Sequence, residues 1–242
     1  MKLAILSFSG SCGKTTLSGQ LFKPRLKDAL VYSIESFNSG LENDGVEAEK
    51  IAASKFKDIF TNILIAENVV VDIGASNVST FLKLMSQYKS SHSEFDYFII
   101  PVTKEKKNQI DTIGVIDTLR GIGIDAKRIL VVLNKVDIDE IENIDSDFQL
   151  IMNMNESEKS FKLVKNSVIH FNDIYDALKE IGLSIETILN DQTNYRELLK
   201  STSDSEKKIE YANMIGYKNL AATASENLDS VFKAMFGAKA HG

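Results

Sequence analysis

Eight consecutive residues carry the clearest chemistry in the sequence: Ser9-Gly10-Ser11-Cys12-Gly13-Lys14-Thr15-Thr16. Gly10 and Gly13 allow a turn tight enough for successive backbone N–H groups to converge on an anion. A helix starting at once behind them adds the positive end of its dipole. Lys14 is placed to reach the β- and γ-phosphates of a nucleotide, and the Thr15 hydroxyl to bind Mg2+. The run follows the apolar stretch Leu3–Phe8 and precedes an amphipathic one, which is the strand–loop–helix setting a phosphate loop needs. The general motif has glycine five residues before Gly13, and Phe8 stands there instead.

Other strand ends carry polar groups. Val69-Val70-Val71-Asp72 is an apolar run ending in a carboxylate about 60 residues after the loop, the arrangement in which an aspartate holds Mg2+, often through water. Ile34-Glu35 ends a second run. Asn134-Lys135-Val136-Asp137 ends a third and has the form Asn-Lys-x-Asp, in which the aspartate accepts two hydrogen bonds from a guanine edge. Lys104, Lys106 and Lys107 cluster after a fourth run, as a solvated loop or as a contact to DNA phosphates that would depend strongly on salt. Arg120, Lys127 and Arg128 could extend that patch.

These residues need a scaffold, and the hydrophobic pattern supplies one. Apolar runs of five or six residues recur at Leu3–Phe8, Leu30–Ile34, Val69–Ile73, Tyr97–Val102 and Ile129–Leu133. They are rich in Val and Ile and nearly unbroken, as in strands buried on both faces of a parallel sheet. Between them the pattern predicts helices over Lys14–Phe22, Glu47–Ile65, Val78–Tyr88 and Gln109–Ile122. The alternation predicts an α/β fold, a doubly wound, mostly parallel sheet flanked by helices.

After Asp137 the pattern changes. Asp139–Asp147 reads as a solvated acidic loop, and Phe161–Phe171 as one more strand or two short ones. Helices are expected over Asn172–Glu180, capped by Asn172, over Ile185–Asn190 and Tyr195–Lys200, and over Ser205–Phe236 with a break near Gly216. The expectation is a single nucleotide-binding domain, with a core over 1–137 and a mainly helical extension over 138–242.

Composition excludes several classes. One cysteine allows no internal disulfide, and three scattered histidines have no zinc-ligand spacing. A net charge of −6 argues against coating nucleic acid through bulk charge. No apolar run approaches the roughly 20 residues of a membrane span, so a cytoplasmic protein is expected.

The loop resembles the variant of ParA- and MinD-type ATPases, Lys-Gly-Gly-x-Gly-Lys-Thr-Thr, through Gly10, Gly13, Lys14, Thr15 and Thr16. Ser11 replaces the second glycine, and Ser9 stands where that family has its signature lysine, which reaches across a dimer to the partner's phosphates. The chain is most similar to the StbB plasmid-stability proteins of that superfamily. The matching stretches are Ser7-Phe8-Ser9-Gly10, Gly13-Lys14-Thr15-Thr16, Val70-Val71-Asp72-Ile73-Gly74-Ala75-Ser76-Asn77, Tyr88, Ser91-His92, Phe95-Asp96, and Asn172 with Ile174-Tyr175. Those proteins also have serine at the Ser9 position.

The resemblance implies a nucleotide switch using ATP and Mg2+, with weak hydrolysis and a nucleotide-dependent homodimer. It also implies a small DNA-binding adaptor as partner in plasmid partition, stability or transfer. Glu35 would position water and metal with Asp72 and Lys14, and Asn134 would touch adenine. A GTPase using Asn134 and Asp137 stays open, as does a metabolic ligase of the dethiobiotin-synthetase type.

Overall fold

The computed structural model describes residues 1–34, 49–51, 56–163 and 168–237. Glu35 lies outside the described residues. Among the described residues seven strands form one sheet in the order β3-β2-β4-β1-β5-β6-β7. They are β1 Lys2–Leu6, β2 Leu30–Ile34, β3 Glu49–Ile51, β4 Val69–Ile73, β5 Tyr97–Val102, β6 Ile129–Leu133 and β7 Lys162–Leu163. Every pairing between them is parallel.

All five residues of β4 and of β6 are buried, which is why these strands read as continuous apolar runs. The chain leaves β1 toward one edge of the sheet and β5 toward the other. A crevice therefore opens at the carboxyl ends of the central strands, where such sheets bind ligands.

Several assignments differ from the sequence reading, among them the acidic stretch expected as a loop, which is a 3-10 turn over Ile138–Asn143 and a helix over Ile144–Asp147. The first strand stops at Leu6, and Ser7 and Phe8 already belong to the loop. Glu49–Ile51, expected inside a helix, is an edge strand whose backbone pairs with β2; the helix, α2, spans Phe56–Ile65. The helix expected from Gln109 begins at Lys106, so Lys106 and Lys107 lie in its first turn rather than in a loop. No break occurs at Gly216: one helix of 32 residues runs through it. A glycine there costs about 1 kcal/mol, and the helices packed alongside outweigh that. From Phe161 to Phe171 the described residues hold β7 and a single bridge, Val136 to His170.

The loop leads into α1, Lys14–Thr16, which continues as a π-helical turn over Leu17–Phe22 and a 3-10 turn over Lys23–Arg25. Helices α3 Val78–Gln87, α4 Lys106–Gly121, α5 Ile144–Asp147 and α6 Gln149–Glu158 follow. The remaining helices are α7 Ile174–Ile181, α8 Ile185–Asn190, α9 Tyr195–Ser201 and α10 Ser205–Phe236. The N-cap of α7 is Asp173 rather than the expected Asn172, whose side chain, one residue earlier, accepts from Ile174 N at 2.9 Å.

Strand periodicity divides the core. Ala4 and Leu6 face a cluster with Phe56, Phe81, Leu119 and Ile151, while Leu3 and Ile5 face Leu17, Phe22, Ile174 and Phe232. The second cluster depends on α10, whose buried residues all lie between Ala221 and Met235. Arg25 fastens it: Nε donates to Asp229 at 2.8 Å, and the other guanidinium nitrogens donate to the carbonyls of Gln20, Leu21 and Ser225. The rings of Phe22, Phe232 and Phe236 close the joint, with centroids 5.1 to 6.5 Å apart. Among the described residues no helix is long and apolar enough to cross a membrane.

Phe232 has no exposed surface. Phe232→Ala is expected to cost about 3–5 kcal/mol, lowering the urea midpoint with little change in slope. A midpoint within error of wild type would mean that α10 does not complete this core.

Candidate functional site: a phosphate loop braced by the sheet

The loop's shape follows from two backbone positions. Gly13 has φ 95° and Ser11 φ 53°, both left-handed. A Cβ on Gly13 would stand 2.2 Å from Asn134 Nδ2, so only glycine fits there. That nitrogen donates to Cys12 O at 2.7 Å, and Asn134 is itself buried at the end of β6, its N–H bonded to Val102 O. Lys14 folds along the loop and donates to Ser9 O at 2.7 Å, with Cys12 Sγ 3.7 Å away. Two loop carbonyls are thus turned toward donors within the protein.

A cavity of about 320 Å³ opens over this loop, lined by Gly10, Lys14, Thr15, Thr16, Gly74 and Asn134. Its other lining residues come from the segment entering α7 and the helix's first turn: His170, Phe171, Asn172 and Tyr175. An adjoining hollow of about 510 Å³ shares these four residues and adds Asp137 and Asn227. Asp72 is 4% exposed, and its Oδ2 lies 3.4 Å from the hydroxyl of Ser18, which also donates to Thr15 O at 2.9 Å. The β4 carboxylate and the Thr15 turn are therefore neighbours.

Several solved structures share this architecture across nearly their whole length. The ATP complex of a McdA variant from Cyanothece matches with a TM-score of 0.52 at 13% identity, over 97% of this chain and 96% of that one. The MinD cell division protein of Aquifex aeolicus matches at 0.51 and 13%, over 94% and 95%. The septum site-determining protein MinD of Pyrococcus horikoshii, complexed with Mg-ADP, matches at 0.50 and 13%, over 96% and 97%. This is the ParA/MinD P-loop NTPase fold. No protein-family model matches the sequence, and no curated protein matches it either.

Within the ParA/MinD fold, this chain's departures from the usual loop have local partners. Ser9 Oγ donates to Asp111 Oδ2 on α4, so the hydroxyl is tied to that helix. Phe8 leans on the same helix: its ring atoms lie 3.8 Å from where a Cβ on Gly114 would stand. Phe8 and Ser9 together anchor the loop's first residues to α4.

The other sequence-predicted residues are distributed unevenly. Asn134 is at the cavity, whereas Asp137 lines only the adjoining hollow and sits 3.8 Å from Lys104. Lys104 also bonds Glu140, and that bond raises its pKa. Lys106, Lys107 and Lys127 are exposed. Arg120 and Arg128 instead hold backbone carbonyls, Arg120 that of Ile124 and Arg128 those of His92 and Phe95. The patch foreseen around the lysines thus loses both arginines to structural duty.

Sequence reasoning missed His170, Phe171 and Tyr175 as wall residues. The available signal was Phe171, a large aromatic beside polar residues, which proves 52% exposed. The Tyr175 hydroxyl is buried and has no hydrogen-bond partner among the described residues. Burial pushes this phenol up from 10.0 to about 12, against a smaller opposing pull from Arg25. A raised folded value favours the neutral phenol, so this contribution to stability is complete below pH 10 and fades as pH rises through about 12. Unfolding free energy should therefore fall more steeply over that window in wild type than in Tyr175→Phe. Equal slopes would assign the fall to other tyrosines.

Proposed function

We propose that the protein is a nucleotide-dependent switch that binds ATP with Mg2+ and hydrolyses it slowly. The carrying observation is the buried Lys14 beside a loop whose left-handed turns and braced carbonyls border a cavity of about 320 Å³. Gly10 to Thr16 would hold the phosphates, with Lys14 at the β- and γ-positions. The residues present fit a magnesium ion: the Thr15 hydroxyl and the Asp72 carboxylate are hard oxygen donors, and Ser18 reaches both the Thr15 backbone carbonyl and that carboxylate. Such a metal, when bound, neutralises charge building up on the phosphates. Glu35 would assist as a water-positioning acid.

Base choice follows from Asn134 and Asp137. Lys104 beside Asp137 competes for the carboxylate a guanine would need, which favours ATP. The rival GTP reading draws support from the same aspartate lining the hollow next to the cavity. Phe171 offers a face on which either base could stack. Slow turnover follows from Ser9, which brings no positive charge to the transition state and is already bonded to Asp111.

The resemblance to StbB proteins supports a role in plasmid partition, stability or transfer, with a small DNA-binding adaptor and a nucleotide-dependent homodimer. Direct DNA contact would rest on Lys106 and Lys107, since Lys104 already has two acidic neighbours.

Fluorescent ATP and GTP analogues, titrated with Mg2+, test the reading. ATP should bind more tightly, and Lys14→Ala should weaken it about ten- to a hundredfold. Unchanged affinity in that variant would end the phosphate-loop assignment. A GTP preference that disappears in Asp137→Ala would establish the rival reading. For DNA, replacing Lys106 and Lys107 with alanine should weaken retention and lower the salt slope by about 2. No retention by the unaltered protein in low salt with nucleotide would remove direct DNA contact from the proposal.

A further inference from the structure

Among the described residues three lysines line the cavity over the loop: Lys14, Lys135 and Lys179. Two of them are already engaged, Lys14 with Ser9 O at 2.7 Å and Lys179 with Asp176 at 3.0 Å. Lys135 is exposed, and among the described residues its amine has no hydrogen bond and no ion pair. Glu105 acts on it through charge, and that carboxylate already accepts from the Thr103 hydroxyl. The backbone at Lys135 is left-handed, with φ 58°. A glycine takes that conformation without strain, whereas a side chain there costs stability. The neighbours impose it. Asn134 N donates to Val102 O at 2.8 Å, Asn134 Nδ2 holds Cys12 O, and Val136 N donates to Ile169 O at 3.1 Å. Position 135 absorbs the turn between two anchored residues, and a lysine occupies it.

Strain of this kind gathers at ligand sites, where a particular side chain is needed. We infer that Lys135 is a phosphate-binding residue: its ammonium reaches the loop from the end of β6 and meets the phosphate chain of the nucleotide, supplying from the same polypeptide positive charge that Ser9 does not bring. This rests on the ATP reading of the same cavity. The class of ligand follows from the lining. Three lysines share the cavity with one carboxylate, Asp176, so its charge suits an anion. The reach follows from the neighbours. One residue before Lys135, the Asn134 amide touches Cys12 O and fills the space beside Gly13. The lysine therefore leaves the backbone next to the turn that holds phosphate, on a flexible four-carbon stem.

The experiment compares wild type with Lys135→Ala, Lys135→Gly and Lys135→Arg, with thermal melts of each. Inorganic tripolyphosphate, the chain without base or sugar, competes against a fluorescent ATP analogue. Adenosine, the base and sugar without the chain, competes in parallel. Alanine and glycine should each raise the tripolyphosphate dissociation constant about tenfold, and arginine should keep it within about twofold of wild type. Displacement by adenosine should be the same in all four proteins. Lys135→Gly should melt above Lys135→Ala, because glycine relieves the left-handed strain. Tripolyphosphate binding equal to wild type in either uncharged variant overturns the inference. So does a loss shared by adenosine, which would make Lys135 a residue of cavity shape, and so does a loss that arginine fails to restore. Equal melts of the glycine and alanine variants would remove the strain on which the inference stands. If wild type does not bind the analogue, the ATP reading fails and this inference with it. If wild type binds it and the uncharged variants match wild type, only the inference fails.

Discussion

One hydrogen bond spans 122 residues and sets the geometry of the site: Asn134 Nδ2 to Cys12 O. A flexible Gly/Ser loop has many shapes, and each ordered residue costs about 1–2 kcal/mol of backbone entropy. The bond selects one of them by drawing the Cys12 carbonyl toward the end of β6. It also demands a left-handed residue with no Cβ at Gly13, because the amide occupies that space. The amide is in turn placed by the parallel pairing of β1 with β5 and of β5 with β6. Strand register is therefore a condition for the loop's shape, and the loop's shape for any anion chemistry there.

The loop is also held from the opposite flank. Ser9 is bonded to Asp111, and Phe8 leans on α4 beside Gly114. Neither partner belongs to the loop itself. A loop clamped between β6 and α4 keeps its form with fewer glycines than the general motif has. This accounts for Phe8 standing where glycine is usual. Lys14 completes the arrangement from within, spanning back to the Ser9 carbonyl.

Much of this was legible in sequence because it is local or doubly buried. Strands β1, β2, β4, β5 and β6 announce themselves through Val- and Ile-rich runs, and Ser9–Thr16 through its spacing. The failures share a cause. Glu49–Ile51 is a strand only because β2 is there to pair with it. Lys106 and Lys107 open α4 although lysines oppose the positive end of a helix dipole, so local preference pointed elsewhere. Gly216 is carried inside α10 by neighbours no single segment reveals. At the site, His170, Phe171 and Tyr175 reach the cavity through the packing of α7 against the sheet, and Asp111 meets Ser9 across 102 residues.

The dependence of the second core on α10 has a consequence during synthesis. Leu3, Ile5, Leu17 and Phe22 are made roughly 200 residues before Leu228, Val231 and Phe232, which cover the same face. At about 5–20 residues per second, some ten seconds or more separate the two. Throughout that interval one side of the nascent sheet is greasy and open while the other can already close over Phe56, Phe81 and Leu119. A chain that stalls before α10 emerges is therefore left as a half-covered sheet, the form in which ribosome-associated chaperones and neighbouring nascent chains would meet it.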